Sequence, residues 1–277
     1  MELFGQALGL GTIGLVAGVI GAVIAALATR SSTSTLTSYV QHFAAGLIIA
    51  AATLDLLPEA LHLGGGWPLI VGFVIGTAFM LTLRAILTRS GHGHGPGHGD
   101  EHAHDEGPGS GHRDEHAAVA TQTRVGTATS WLSGVNLRLA IALAVVVLID
   151  GAIIGVALSA GGAAALLIAI ALSIELLFVA ASTAGSTRAS GGSLGTAIGV
   201  GTFVAIMMPI GAVLGALVFA GVSATVLITA LGFGAAALLF TAVAELLVEA
   251  YEIKESTGTI AMAAGGFLLF LILMMLM

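Results

Sequence analysis

Two carboxylates stand in the middle of hydrophobic runs. Asp150 lies within the run from Asn136 to Ser159 and Glu175 within the run from Ala163 to Ala184, and each run is otherwise apolar near its centre. A carboxylate at the centre of a bilayer costs a few kcal/mol even on lenient insertion scales, and acids at that depth generally mark ion or proton pathways. Neither run carries a Lys or Arg beside its acid, so the compensating charge is expected to be a transported cation or a proton. The alternative is that one or both acids stay protonated and hydrogen-bond a neighbouring helix. Two further pairs of acids are spaced four apart, Asp55 with Glu59 and Glu245 with Glu249. That spacing puts each pair on one helix face. These four offer oxygen ligands at the two mouths of a pathway, the alternative being ordinary solvated helix ends. Pro58 is expected to kink its helix and free a backbone carbonyl near Leu54.

Seven of the nine His residues (His92, His94, His98, His102, His104, His112 and His116) fall in one Gly-rich stretch, interleaved with Asp and Glu. His-x-His spacing with flexible neighbours suits weak capture of a borderline metal such as zinc. His42 and His62 sit at opposite ends of one hydrophobic run and read as interfacial packing residues.

The elements that must position these groups are membrane spans. The chain has 277 residues, of which 57% are hydrophobic and 8% charged, against about 25% charged in ordinary soluble domains. The absence of Cys excludes disulfides and thiolate metal sites. Runs of about 20 apolar residues fall at 3–28, 38–62, 67–88, 136–159, 163–184, 194–220, 223–250 and 258–277. An all-α integral membrane protein of eight transmembrane helices follows. The first run has no basic segment before it and is too long for a signal sequence, so it is read as a retained span. Every Lys and Arg (Arg30, Arg84, Arg89, Arg113, Arg124, Arg138, Arg188, Lys254) lies in or beside the connections after spans one, three, five and seven. The positive-inside rule makes those connections cytoplasmic and both termini external.

The organisation is then three parts: 1–88 with helices one to three, 89–134 as a cytoplasmic His-rich loop without the apolar period of a core, and 135–277 with helices four to eight. Spans two and seven end alike, in Asp55-Leu-Leu-Pro58-Glu59-Ala60 and Glu245-Leu-Leu-Val248-Glu249-Ala250. They run in opposite directions, the mark of an inverted repeat with a site near the midplane. Small-residue pairs at Gly14/Gly18, Gly72/Gly76, Gly151/Gly155 and Gly195/Gly199 are read as helix-packing faces. They leave a homodimer open without specifying one. No hydrolase elbow, zincin motif or phosphate-binding loop occurs, so the chain is not read as an enzyme. The scattered basic residues exclude a nucleic-acid patch.

The second span HFAAGLIIAAATLDLLPEAL, the His-rich loop after span three, IDGAIIGVAL in span four and AELLVEA in span seven together resemble the ZIP family of zinc and iron transporters. The likeness extends over nearly the whole chain in order and spacing. It implies a ZIP-like bundle with inverted repeats around central helices four and five, and a shared metal centre there. In the family span four carries His-Asn-x-x-(Asp/Glu)-Gly; Asp150 and Gly151 match, while Val146 and Val147 stand at the His and Asn positions. Span five aligns Glu175 with the second acid of the family motif, with Ala171, Leu172 and Ile174 where two ligands and Pro belong. Met208-Pro209 replaces the Glu-Pro of some members. Two carboxylates without imidazole form a harder, weaker site, nearer to what manganese, magnesium or calcium accept; Ser173 and Ser182 are candidate neutral oxygens.

The expected function is passage of a divalent cation (zinc, iron, manganese or similar) into the cytoplasm through Asp150 and Glu175. Asp55, Glu59, Glu245 and Glu249 would stand at the mouths, with His92, His94, His98, His102 and His104 binding metal weakly in the loop. The cation is substrate, and no permanent cofactor is expected. Lipid and divalent metal ions are the partners, and a bacterial-type plasma membrane suits the short basic loops. The rival readings are a metal-sensing scaffold of the same fold that has lost transport, and a proton-coupled carrier of another solute.

Overall fold

The computed structural model describes residues 2–27, 34–89, 135–161, 165–248 and 256–276. Among these residues the regular structure is helical, without strands. Helix α1 spans Glu2–Leu27. Helix α2 runs as Ser34–Ala50, widens into a π-helical turn at Ala51–Leu56 and finishes as Leu57–His62. Helices α3 (Trp67–Arg89), α4 (Leu137–Ser159) and α5 (Ala165–Ala189) are continuous. Helix α6 is in two pieces, Leu194–Ala205 and Met207–Phe219. Helix α7 (Ala224–Phe240) enters a second π-helical turn at Thr241–Leu246, and α8 is Thr257–Leu276. These make eight described segments long and apolar enough to cross a membrane.

Local chemistry sets several boundaries. Asn136 accepts a hydrogen bond from the Leu139 amide at 3.2 Å and starts α4, and Ser193 does the same for α6 through the Thr196 amide at 3.1 Å. Both oxygens satisfy amides that the first helical turn leaves without a partner. At the other ends of α4 and α5, Gly161 (φ 88°) and Gly191 (φ 84°) turn the chain through the left-handed region, where a side chain would be strained. Helix α5 therefore runs to Ala189 rather than stopping near Ala184. The break in α6 follows from Pro209. A proline has no amide to return to the carbonyl four residues back, that of Ala205, and its ring crowds that turn, so the helix interrupts at Ile206.

Proline does not explain α2 in the same way. Pro58 was expected to kink the helix, yet the irregularity is a π-helical turn that ends before it, with the Leu57 amide bonded to the Ala52 carbonyl. The corresponding turn in α7 forms with Val248 where α2 has Pro58, and there the Leu247 amide reaches the Ala242 carbonyl. The two turns share the ends of their sequences, AATLDL and TAVAEL, with an acid at the fifth position of each. A proline is therefore not required for such a turn.

Glycine sets how closely the helices approach. Gly151 and Gly155 of α4 lie on the backbone of Met208, Ala212 and Ala216, while Gly211 and Gly215 of α6 lie on Leu148 and Ala152. The four glycines interlock backbone to backbone, the contact that drives association where no hydrophobic force acts between helices. Gly14, Gly18 and Gly21 seat α1 against Met208, Ala205 and the Leu177 carbonyl of α5. Gly72 and Gly76 join α3 to α7, and Gly46 and Gly266 join α2 to α8. The fourth predicted packing pair behaves differently. A Cβ on Gly199 would meet nothing within 4 Å, and one on Gly195 would reach only its neighbour Ser193.

The main pairings are α1 with α5, α4 with α6, α3 with α7, α2 with α8, and α1 with α6. Large apolar side chains such as Val16, Ile24, Val74, Leu217 and Val218 point away from this core and are exposed. Such an apolar exterior exceeds what soluble monomers tolerate and is compatible with a multi-pass membrane protein.

Candidate cation site

Asp150 and Glu175 come from the two arms of the α4–α5 hairpin. Asp150 lies nine residues before the end of α4 at Ser159, and Glu175 lies ten after the start of α5 at Ala165. In an antiparallel hairpin rising about 1.5 Å per residue, the two are at nearly the same depth, close to the middle of each helix. Both are buried, Asp150 at 5% and Glu175 at 3% exposure.

Their directions follow from the contacts of their neighbours. The Leu148 carbonyl meets Gly211 of α6, and Asp150, two residues further on, leaves α4 about 200° round. The Leu177 carbonyl meets Gly21 of α1, and Glu175, two residues earlier, is turned by a similar angle. Each acid thus points away from the helix that its own helix grips most tightly. On α4 the residue one turn beyond Asp150, Ile153, packs against Gly234 of α7, where Leu56 of α2 also converges. The described core buries no Lys or Arg. Among the described residues no three His, Asp or Glu side chains gather into a cluster of metal-ligand size. What the central helices supply is a pair of carboxylates, a hard oxygen donor set suited to a weakly held divalent ion.

The neutral oxygens proposed from sequence do not join this pair. Ser173 is buried, but it leaves α5 about 200° from Glu175, and its hydroxyl donates to the Ala169 carbonyl at 2.5 Å. Ser182 is exposed. Val146 and Val147 are buried and bring no donor.

Asp55 and Glu59 lie toward the far end of α2, half-buried, Asp55 inside the π-helical turn and Glu59 in the last helical piece. The turn packs against α7. Its counterpart, which carries Glu245 and packs against α2, sits toward the opposite end of the bundle because α2 and α7 are antiparallel. The side chain of Glu245, the whole of Glu249, and His92, His94, His98, His102 and His104 lie outside the described residues. A π-helical turn holds one more residue than an α-turn and so shifts the phase of everything beyond it. Deleting Thr53 is expected to restore the α-period and swing Asp55 and Glu59 about 100° away from α7. The Cys-free chain permits a direct check: an Asp55→Cys variant should react with a water-soluble maleimide, and the same variant lacking Thr53 should not.

Sequence reasoning placed His42 at a membrane interface. In the structure it is fully buried, and its Nδ1 lies 2.8 Å from the Ser38 carbonyl oxygen. Gln41 beside it is 4% exposed. The signal was present as two adjacent polar residues inside an otherwise apolar segment, Gln41-His42, which solvent exposure would not require. His62, by contrast, is exposed as expected of a helix end. No protein-family model matches the chain, and no curated protein matches it.

Proposed function

We propose that this protein is a multi-pass membrane carrier that passes a divalent metal cation through a central site formed by Asp150 and Glu175. The observation that carries the reading is the burial of one carboxylate on each arm of the central hairpin, at matching depth, in a core that buries no Lys or Arg among the described residues. Acids at that depth generally mark ion or proton pathways.

The packing pattern supports an inverted repeat, as the resemblance to ZIP transporters implies. Exchanging α1 with α6, α2 with α7, α3 with α8 and α4 with α5 turns the α1–α5 contact into α6–α4, and the α3–α7 contact into α8–α2. The two π-helical turns exchange as well. Repeats of this kind put the substrate site at their shared interface near the midplane, and the position of Asp150 and Glu175 near the middle of their helices suits such a site. In this reading the α1–α2 and α3–α4 connections are cytoplasmic, the latter carrying the His-rich loop. Movement is inward, and Asp55 and Glu59 face the outer mouth. The all-oxygen centre admits manganese, iron and magnesium as readily as zinc.

Reconstitution in liposomes tests this directly. Saturable uptake of at least one of zinc, manganese, iron(II), cobalt or magnesium is the expected result. Folded, monodisperse protein that moves none of them would overturn the carrier reading in favour of a metal-sensing scaffold.

A further inference from the structure

The two ends of the proposed pathway are related by position but not by chemistry. Helix α7 is apolar before its π-helical turn, with Ile228, Leu231 and Gly232 all buried. At the corresponding positions of α2, each 190 residues earlier as Asp55 is to Glu245, stand Ser38, Gln41 and His42, also all buried. Thr241, the first residue of the α7 turn, is buried too. A polar cluster costs free energy in a dry core unless its groups are satisfied, and its partner half shows that apolar residues fill the equivalent space.

Contacts with α8 fix which way these side chains leave α2. Phe43, Gly46 and Leu47 lie on Gly266, Ala263 and Phe267 of α8. Gln41 lies on the opposite side of α2 from that seam. Its Oε1 is buried and accepts no hydrogen bond. Next to it, His42 Nδ1 faces the Ser38 carbonyl at 2.8 Å. A carbonyl only accepts, so Nδ1 holds the ring proton and the lone pair is on Nε2. A backbone carbonyl fixing the tautomer in this way is the usual support behind a metal-binding imidazole. Gln41 and His42 leave the helix about 100° apart, so one cation seated between α2 and a facing helix can meet both.

We propose that Gln41 and His42 form a second cation site, about seven residues or 10 Å from the middle of α2, which selects for metals that accept imidazole nitrogen. The class is borderline divalent ions: zinc, cobalt(II), iron(II) and nickel. The central carboxylates accept hard and borderline ions alike, so discrimination enters at this end. The inference rests on the carrier reading for its place in transport, but not for the existence of the site.

The test uses the full chain in two assays. In liposomes, His42→Asn and Gln41→Leu are each expected to lower zinc flux at least about tenfold more than manganese flux, since altering even the groups behind a metal ligand weakens binding by about 10–100-fold. Asp150→Asn should depress both ions together. Equal losses of zinc and manganese flux in both α2 variants would overturn the proposal. Visible absorption of bound cobalt(II) in the purified full chain gives the independent readout, because the loop histidines contribute equally to wild type and variant. A difference spectrum between wild type and His42→Asn with a nitrogen-ligated cobalt band is expected. Superimposable spectra overturn the site, whereas a clear band in protein that carries no metal leaves the site standing and removes only the carrier reading.

Discussion

Asp150→Asn and Glu175→Gln are each expected to reduce metal flux at least about a hundredfold, roughly 3 kcal/mol of lost stabilisation of the ion in transit. Each substitution removes one of the two charges on which a dehydrated divalent ion depends in the core. The variants should nevertheless fold. Both acids are buried without help from a buried Lys or Arg among the described residues, and an amide at mid-membrane is easier to bury than a carboxylate. The thermal midpoint in detergent is therefore expected to hold or rise while transport disappears. Full transport by both single variants would remove the central site from the mechanism. Loss of transport together with loss of folding would instead assign the acids to structure, as protonated groups that hold neighbouring helices.

The second large effect is steric. Gly211→Val and Gly21→Val each place side-chain carbons where another helix already has backbone: the Leu148 carbonyl for the first and the Leu177 carbonyl for the second. Overpacking against movable side chains costs about 1–3 kcal/mol. Backbone cannot rotate away, so a loss of about 3 kcal/mol or more is expected, enough to abolish a monodisperse peak on size exclusion. Gly199→Ala is the matched control. Nothing lies within 4 Å of its added carbon, and a helical Gly→Ala change is favourable by up to about 1 kcal/mol. Destabilisation by Gly199→Ala as severe as that by Gly211→Val would refute the assignment of these packing faces.

The sequence made the spans legible because length and hydropathy act over 20 residues at a time and tolerate local error. The same held for the acids of α4 and α5, which are conspicuous against an apolar background. Helix-packing glycines were legible as a class, but their partners were not: Gly195 and Gly199 have the same spacing as Gly151 and Gly155, and only the placement of neighbouring helices separates a seam from an open face. The π-helical turns escaped for a related reason. One extra residue per turn leaves composition unchanged, and the motif shared by α2 and α7 was visible without its backbone meaning. Pro58 drew attention to the place where the turn of α2 ends, whereas Pro209, which breaks its helix, stood in a stretch read as continuous. His42 was misplaced because its position near the start of a span suggests an interface. Its burial depends on the helices that pack around α2, and the local sign of it, the adjacent Gln41-His42 pair inside an apolar run, does not say which helices those are.

Glycine contacts also decide how the bundle can deform. Along α2 and α8, and along α3 and α7, backbone rests on backbone through Gly46, Gly266, Gly72 and Gly232. Such seams hold no rotatable side chains and have no slack in which to slide. Each pair therefore behaves as a single two-stranded beam, with one outer helix splinted to one inner helix. Any displacement of the Gln41 region must carry α8 with it, and any displacement of the α7 turn must carry α3. The compliant joint is left to the side-chain-filled boundary between the two beams, where the π-helical turns of α2 and α7 pack.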